Sequence, residues 1–412
     1  MLEVGEPTLI LRPDEPDAES TEAERGPDRQ EEGARSHGRP RRAGRRGTRS
    51  ALVPRERVTP LRNRTWSKVI AAGSGQSPGR QAALWGGLPA TVGAISVNKA
   101  CGSGLKAVML AASAIKAGDG DTYVAGGIES MSNAPYLVPT ARAGARYGHV
   151  QMLDSAIHDG LWCAFENHLM GNSAEFIADK MEVTREEMDE FALKSHQKAI
   201  AAIDAGRFKE EIAPVEIRDG KGRVTVVDTD EAPRRDTSLE ALAKLKPVFK
   251  PDGRVTAGNA PGLNDGAAAV VVMSREKAEA QGIQPLACIV GYTHAAVEPI
   301  WLFIAPARAV PRLLDKIGWK LEDADLIEIN EAFAAQVLAD ARALEQAGHK
   351  WVWDRVNVNG GAVALGHPVG ASGARVLVTL MNALRQHGEK RGIATLCLGG
   401  GEAVAMAVEI EG

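Results

Sequence analysis

From Trp66 onward the apolar residues fall into two alternating patterns. Short unbroken apolar runs end in glycine, and the stretch after each returns its apolar residues every third or fourth position, which is the signature of strands feeding helices. Ser67-Lys68-Val69-Ile70 is a strand end before the polar loop Gly73-Ser74-Gly75-Gln76-Ser77-Pro78-Gly79, and a helix begins near Arg80. Gly93-Ala94-Ile95-Ser96-Val97-Asn98 predicts a buried strand ending at Lys99-Ala100-Cys101-Gly102-Ser103-Gly104, and Leu105, Val108, Met109, Ala112 and Ile115 continue at helical spacing. Thr122-Tyr123-Val124-Ala125 is the next strand and runs into Gly126-Gly127.

The last fifty or so residues repeat this plan. Arg355-Val356-Asn357-Val358 leads into a loop with five glycines from Gly360 to Gly373, and Val376, Leu377, Leu380, Met381 and Leu384 then mark one face of a helix. Ile393-Ala394-Thr395-Leu396-Cys397-Leu398 is a strand ending in Gly399-Gly400-Gly401. The repetition predicts a duplicated α/β unit with a ligand crevice where its halves meet. Residues 66–140 and 250–279 form the first half and residues 280–412 the second. Between them residues 141–249 change texture to charged helices, with Thr184-x-x-Glu187 as a capping box, and polar turns near Asp219-Gly220-Lys221-Gly222. They predict an inserted lid or loop domain. A helix over residues 307–317 and the strand Asp325-Leu326-Ile327-Glu328-Ile329 bring the chain to Asn330.

Residues 1–65 share neither pattern. They open acidic, then carry Arg35, Arg39, Arg41, Arg42, Arg45, Arg46 and Arg49, and contain no lysine. The composition predicts disorder. A nucleic-acid-binding arm, a transit peptide and sequence foreign to the domain (a misplaced start or reading frame) are the competing readings, the last slightly ahead of a solvated tail.

Composition narrows the function. The chain has 412 residues, 44% hydrophobic and 25% charged, with a net charge of −4, as in globular proteins without bias toward nucleic acid. No apolar run approaches a membrane span and the first residues do not read as a secretion signal, so the expected address is cytoplasmic. Four dispersed cysteines without a C-x-x-C pair speak against zinc and against a disulfide framework. Cys163 and Cys288 read as small core residues. Cys101 and Cys397 sit beside glycines that bare backbone N–H groups, and Cys101 stands at a helix N-terminus, where thiolate is favoured and an oxyanion can be held. His367, in the five-glycine loop, can accept a thiol proton if the fold brings the two together. A second thiol can move a proton at the carbon beside a thioester carbonyl, as making or breaking a carbon–carbon bond requires. Asn330 reads as a turn residue or as a group orienting a water or the histidine.

These segments carry a resemblance. Asn98-Lys99-Ala100-Cys101-Gly102-Ser103-Gly104-Leu105, Gly126-Gly127-Ile128-Glu129-Ser130-Met131-Ser132, Asn330-Glu331-Ala332-Phe333-Ala334, the loop through Gly366-His367-Pro368, and Cys397-Leu398-Gly399-Gly400-Gly401 together resemble the thiolases of bacterial acetyl-CoA acetyltransferase type, from about Ser67 to the C-terminus. The resemblance implies a five-layer αβαβα fold and a homo-oligomer, a tetramer or a dimer. It implies reversible condensation of two acyl-CoA molecules to a 3-oxoacyl-CoA and coenzyme A, with these thioesters as substrates and no permanently bound cofactor or metal. Cys101 is then the acylated residue, His367 activates it and helps hold the thioester oxygen, Asn330 positions a water in the same oxyanion hole, and Cys397 is the acid/base for the α-carbon. The N–H groups of Cys101 and Gly399 form the other oxyanion hole. Met170, Phe333, Leu245, Phe249 and Ala257 fall where the family lines its pantetheine channel, and Arg234 where it meets the nucleotide end.

The chain departs from the family pattern in four places. Leu169 separates His168 from Met170, Pro261 replaces a serine that contacts coenzyme A, and Leu302-Phe303-Ile304-Ala305-Pro306 replaces Met-Gly-x-Gly-Pro. Residues 1–65 also show no counterpart of the family's first strand and helix. A ketosynthase pairs its cysteine with two histidines or with His and Asn, unlike His367 with Cys397. A non-enzymatic role for a thiolase body, as a structural or binding module, is the reading from another class.

Overall fold

The computed structural model describes residues 8–11 and 63–411. The predicted disorder of residues 1–65 therefore lies largely outside the described residues. Among the described residues nine strands form one mixed sheet in the order β9-β10-β11-β8-β1-β7-β4-β2-β3. They are β1 (Thr8–Leu11), β2 (Asn63–Ser67), β3 (Ile95–Val97), β4 (Thr122–Ser130), β7 (Asp265–Met273), β8 (Ala287–Ala296), β9 (Leu326–Ile329), β10 (Arg391–Leu398) and β11 (Glu402–Ile410); β5 and β6 belong to the hairpin described below.

The two halves repeat one pairing scheme. β4 runs parallel to β2 and antiparallel to β7; β10 runs parallel to β9 and antiparallel to β11. A lone parallel bridge from Val356 to Ile327 stands in the second half where β3 stands beside β2 in the first. The predicted duplication is thus present as strand topology, and the architecture is the αβαβα fold with mixed sheet and helical layers.

One expectation is corrected. Thr8–Leu11 does form a strand at the junction of the halves, parallel to both β7 and β8. It is not the mirror of the second half, where the corresponding β8 is ten residues long and antiparallel to β11. Leu9 and Ile10 are fully buried, so apolar burial holds this short segment in place. The expected absence of a following helix concerns residues outside those described.

Two helices form the middle of the molecule. α2 (Ser103–Lys116) follows Cys101 and packs on β4, β2 and β7, and α8 (Ser372–His387) follows the His367 loop and packs on β10, β9, β7 and β4. Helices apolar around most of their circumference have to be covered on several sides, and α8 buries Val376, Leu377, Leu380, Met381 and Leu384 together with their intervening neighbours. The first turns of α2 and α8 meet through small residues. A Cβ on Gly104 would stand 2.6 Å from the Ala374 nitrogen, and one on Gly373 would collide with Leu105. Glycine at both places lets the backbones touch, which sets the two preceding loops side by side.

The remaining helices cover the outside. α1 (Pro78–Trp85) lies on β2 and β3, and α6 (Pro306–Ile317) lies on β8 and β11. Between β4 and β7 the chain forms α3 (Met170–Lys180), α4 (Arg185–Asp204) and an exposed hairpin of β5 (Val215–Arg218) and β6 (Val224–Val227). α5 (Arg275–Gln281) follows β7, and α7 (Ala334–Gln346) packs on α3 and α4. α4 begins as its sequence predicts. Thr184 Oγ1 accepts the Glu187 N–H at 3.2 Å while Glu187 Oε2 accepts the Thr184 N–H at 2.7 Å, a reciprocal cap that satisfies two otherwise unpaired donors.

Candidate active site

Cys101 sits on a tight bend between β3 and α2. Ala100 has φ of 43°, a left-handed conformation that costs a non-glycine residue about 1–3 kcal/mol and persists only when its surroundings enforce it. Three bonds do so here. Asn98 Oδ1 accepts the Ala100 N–H at 3.0 Å, Ser103 Oγ donates to the Ala100 carbonyl at 2.6 Å, and the same Oγ accepts the Lys99 N–H at 2.8 Å. Cys101 keeps part of its surface toward solvent, but its sulfur is buried. Burial pushes the thiol up to about 11, while the N–H groups of Gly399 and of Cys101 itself pull it down and the Glu129 carboxylate adds to the rise. The expected help for thiolate from backbone N–H groups is present, yet desolvation outweighs it, and the residue rests as a thiol.

His367 is held from both sides of its backbone. Gly366 has φ of 99°, and Asn264 Oδ1 accepts the His367 N–H at 2.9 Å. Two residues on, Val369 lies in one apolar cluster with Val69, Ile70 and Met131, against which Cys101 packs. Glu129 ties this loop to the first half. Its Oε2 accepts the N–H groups of Val69 at 3.0 Å, Ile70 at 3.3 Å and Gly370 at 3.2 Å, and Ser67 Oγ donates to the Gly370 carbonyl at 2.7 Å. The imidazole is buried, with Nδ1 2.6 Å from Ser372 Oγ and Nε2 without a partner among the described residues. Burial, aided by the Arg375 charge, holds its pKa down to about 4, so it rests as a neutral base.

Asn330 and Cys397 come from neighbouring strand ends. Ile329 pairs with Thr395, and the Asn330 N–H donates to the Thr395 carbonyl at 3.0 Å. The Asn330 side chain is fully buried with neither amide atom bonded among the described residues, so both ends are available to something entering the site. Next to it Glu331 locks the position. It accepts from Ser195 Oγ at 2.7 Å, Asn357 Nδ2 at 2.8 Å and the Val363 N–H at 3.0 Å, which joins β9 to the start of the glycine loop. Cys397 is buried, and its thiol is raised well above the ordinary value by burial first, then by the neighbouring ionisable groups Cys101 and Asp340. The fold thus groups Cys101, Gly399 and Cys397 directly and seats the His367 loop against Cys101. Glu129, Asn264 and Ser372 are the supporting residues to which the sequence reading assigned no role.

An aromatic wall stands beside Cys397. Phe303 meets Phe333 edge to face at 5.3 Å between centroids, and Phe249 meets Phe333 at 6.4 Å. Met170, Phe249 and Phe333 pack on the cluster that contains Cys397, Phe303 and Ala332. Leu245 reaches Gly258, next to the exposed Ala257, while Arg234 is exposed and its backbone N–H donates to His196 Nδ1 at 3.1 Å. The departures have structural consequences. His168 Nε2 lies 2.8 Å from Ser173 Oγ, and Phe303 fills buried space beside Phe333. Cys163 and Cys288 are buried in other clusters or short strands, consistent with packing roles.

Comparison with known proteins agrees with this geometry. The family described as "Thiolase, N-terminal domain" matches residues 48–276, and "Thiolase, C-terminal domain" matches residues 283–410. The chain is 56% identical over 341 residues to an acetyl-CoA acetyltransferase of Pseudomonas aeruginosa, covering 83% of this chain and 86% of that protein. It is 51% identical over 342 residues to a probable acetyl-CoA acetyltransferase of Escherichia coli, again covering 83% and 86%. The crystal structure of the Bacillus anthracis acetyl-CoA acetyltransferase superposes with a TM-score of 0.83 at 44% identity, over 87% of this chain and 89% of that one. The Syntrophomonas wolfei acetyl-CoA acetyltransferase gives 0.84 at 43% identity, over 86% and 89%.

Proposed function

Because the chain belongs to the thiolase family over both of its halves, we propose that it cleaves 3-oxoacyl-CoA with coenzyme A and runs the reverse condensation of two acetyl-CoA molecules. The observation that carries the proposal is the Gly399 N–H directed at the Cys101 sulfur, in a site that also holds a second buried thiol, Cys397.

In thiolysis the Cys101 sulfur attacks the 3-oxo carbonyl and its proton passes to His367 Nε2. The N–H groups of Cys101 and Gly399 hold the developing oxyanion. The bond between C2 and C3 then breaks, and C2 takes the proton of Cys397 to leave as acetyl-CoA. His367, now protonated at Nε2, and a water held by Asn330 hold the thioester oxygen while charge resides there. Coenzyme A next attacks the acyl group on Cys101. Its thiol proton restores Cys397, and the proton on His367 returns to the departing Cys101 sulfur, so every group ends as it began. Resting thiols suit this order, since one is deprotonated by a neighbouring base and the other has a proton to give.

Met170, Leu245, Phe249, Ala257 and Phe333 line the pantetheine path in this reading, and Arg234 meets the nucleotide end. Residues 141–249 form the lid over that path. The substrates are acyl-CoA and coenzyme A. No helix among the described residues is long and apolar enough to cross a membrane, and a cytoplasmic address is part of the proposal. So is a homo-oligomer, a dimer or tetramer. β3 is the outer strand of the sheet, with Ile95 53% exposed on it and Trp85 80% exposed on the adjoining α1, a surface suited to a second copy.

The test is thiolysis of acetoacetyl-CoA, followed by loss of its absorbance on addition of coenzyme A. Cleavage dependent on coenzyme A is expected. Folded wild-type protein that does not cleave overturns the proposal.

A further inference from the structure

Building on the reading of His367 as the base, we propose that Ser372 is a positioning residue that fixes the imidazole tautomer, keeping hydrogen on Nδ1 and a lone pair on Nε2. Ser372 is almost fully buried in the first turn of α8, with Oγ 2.6 Å from His367 Nδ1 and 3.0 Å from the Pro368 carbonyl. A hydroxyl has one hydrogen to give. The Pro368 carbonyl also accepts the N–H groups of Ala371 and Ser372, but two oxygens 3.0 Å apart repel unless a hydrogen lies between them, so the serine hydrogen is placed toward Pro368 and Oγ is left as acceptor toward Nδ1. The proton of a neutral imidazole then belongs on Nδ1. Nε2, which has no partner among the described residues, carries the lone pair.

This arrangement serves both tasks assigned to the ring. With Nδ1–H committed to Ser372, Nε2 can take the Cys101 proton. Once it has done so, Nε2–H becomes a donor for the thioester oxygen, while the Nδ1–H bond to Ser372 is unchanged and the ring need not turn. Asn264 fixes the backbone of the same residue, so ring and main chain are held independently. Without the hydroxyl, hydrogen on Nδ1 loses its partner in a buried setting, and the alternative tautomer, with hydrogen on Nε2, gains population. That form cannot accept the thiol proton.

Ser372→Thr and Ser372→Val have nearly the same shape and differ in the hydroxyl. The threonine variant is expected to retain most of kcat for thiolysis, and the valine variant to lose about 10–100-fold in kcat with KM for coenzyme A within about twofold. Alkylation of Cys101 by iodoacetamide, which needs no substrate, is expected to be slower in the valine variant. Ser372→Ala adds no bulk and is expected to match valine when compared with wild type. Equal kcat and equal alkylation rates for Thr and Val, or an Ala variant that equals wild type in both, overturn the proposal. A wild type without thiolysis overturns the enzyme reading instead, and the alkylation rates alone then decide the role of Ser372.

Discussion

The two loops that meet at the site occupy matching places in the duplicated halves, yet they are held in different ways. The Cys101 loop is short and is secured by its own neighbours, Asn98 and Ser103, around one left-handed alanine. The His367 loop is long and rich in glycine, and it is secured from far along the chain by Asn264 and Glu129. A nucleophile whose sulfur must reach substrate is carried on a locally self-sufficient bend. The base that serves it is placed by the other half, so catalytic geometry depends on how the halves are joined.

Breaking either loop at its reactive atom should have the largest effect. Cys101→Ser and Cys397→Ala are each expected to lower thiolysis by roughly 10³-fold or more, because removing one member of a unit that moves protons together loses most of its contribution. Steady-state assay with acetoacetyl-CoA measures this, and a loss below tenfold in either variant contradicts the assignment. Next comes the anchor of the long loop. Glu129→Ala strands three buried N–H groups and should destabilise the protein by about 3 kcal/mol or more in urea denaturation, with kcat falling as His367 loosens. An Asn98→Ala substitution, on the short loop, removes the bond to the Ala100 N–H and a longer one to the Val69 carbonyl, and should cost about 1–2 kcal/mol.

Titration sharpens the same contrast. With its thiol pushed up to about 11, Cys101 in a His367→Asn variant, where no base takes its proton, should be alkylated by iodoacetamide at a rate that rises about tenfold per pH unit from pH 7 to 10. A plateau that begins near neutrality contradicts the resting thiol. His367 works in the other direction. Its folded pKa of about 4 lies below the unfolded value of about 6.5, so the unfolded state binds more protons between them. Its contribution is therefore complete above about pH 6.5 and is lost as pH falls toward 4, which His367→Asn should remove from the pH dependence of urea denaturation. The smallest effect is expected for Cys163→Ala, which should keep thiolysis near wild type because Cys163 lies outside the reacting groups.

Much of this site was legible in the residues. The strands at Thr122 and Ile393 stand as runs of apolar residues closed by glycine; Cys101 and Cys397 are marked by neighbouring glycines, His367 by its glycine-rich loop and Asn330 by its place at a strand end. β1 was not legible, because Thr8-Leu9-Ile10-Leu11 is too short to show alternation and lies between Pro7 and Arg12-Pro13. Glu129, Asn264 and Ser372 were also missed as supports. The first two reach the His367 loop across 241 and 103 positions of sequence, a distance no local pattern records. The resting state of Cys101 needed the structure as well, since a helix N-terminus is visible in sequence while the burial that outweighs it is not.

The central claim is that Cys101 carries the acyl group while His367 and Cys397 move protons around it. Rapid quenching of the protein with acetoacetyl-CoA in the absence of coenzyme A, followed by peptide mass spectrometry, tests it most directly. An acetyl group on the Cys101 peptide, released when coenzyme A is supplied and missing from Cys101→Ser, is the expected result. Turnover with an unmodified Cys101 peptide, or an acetyl group lodged on Cys397 instead, would contradict it.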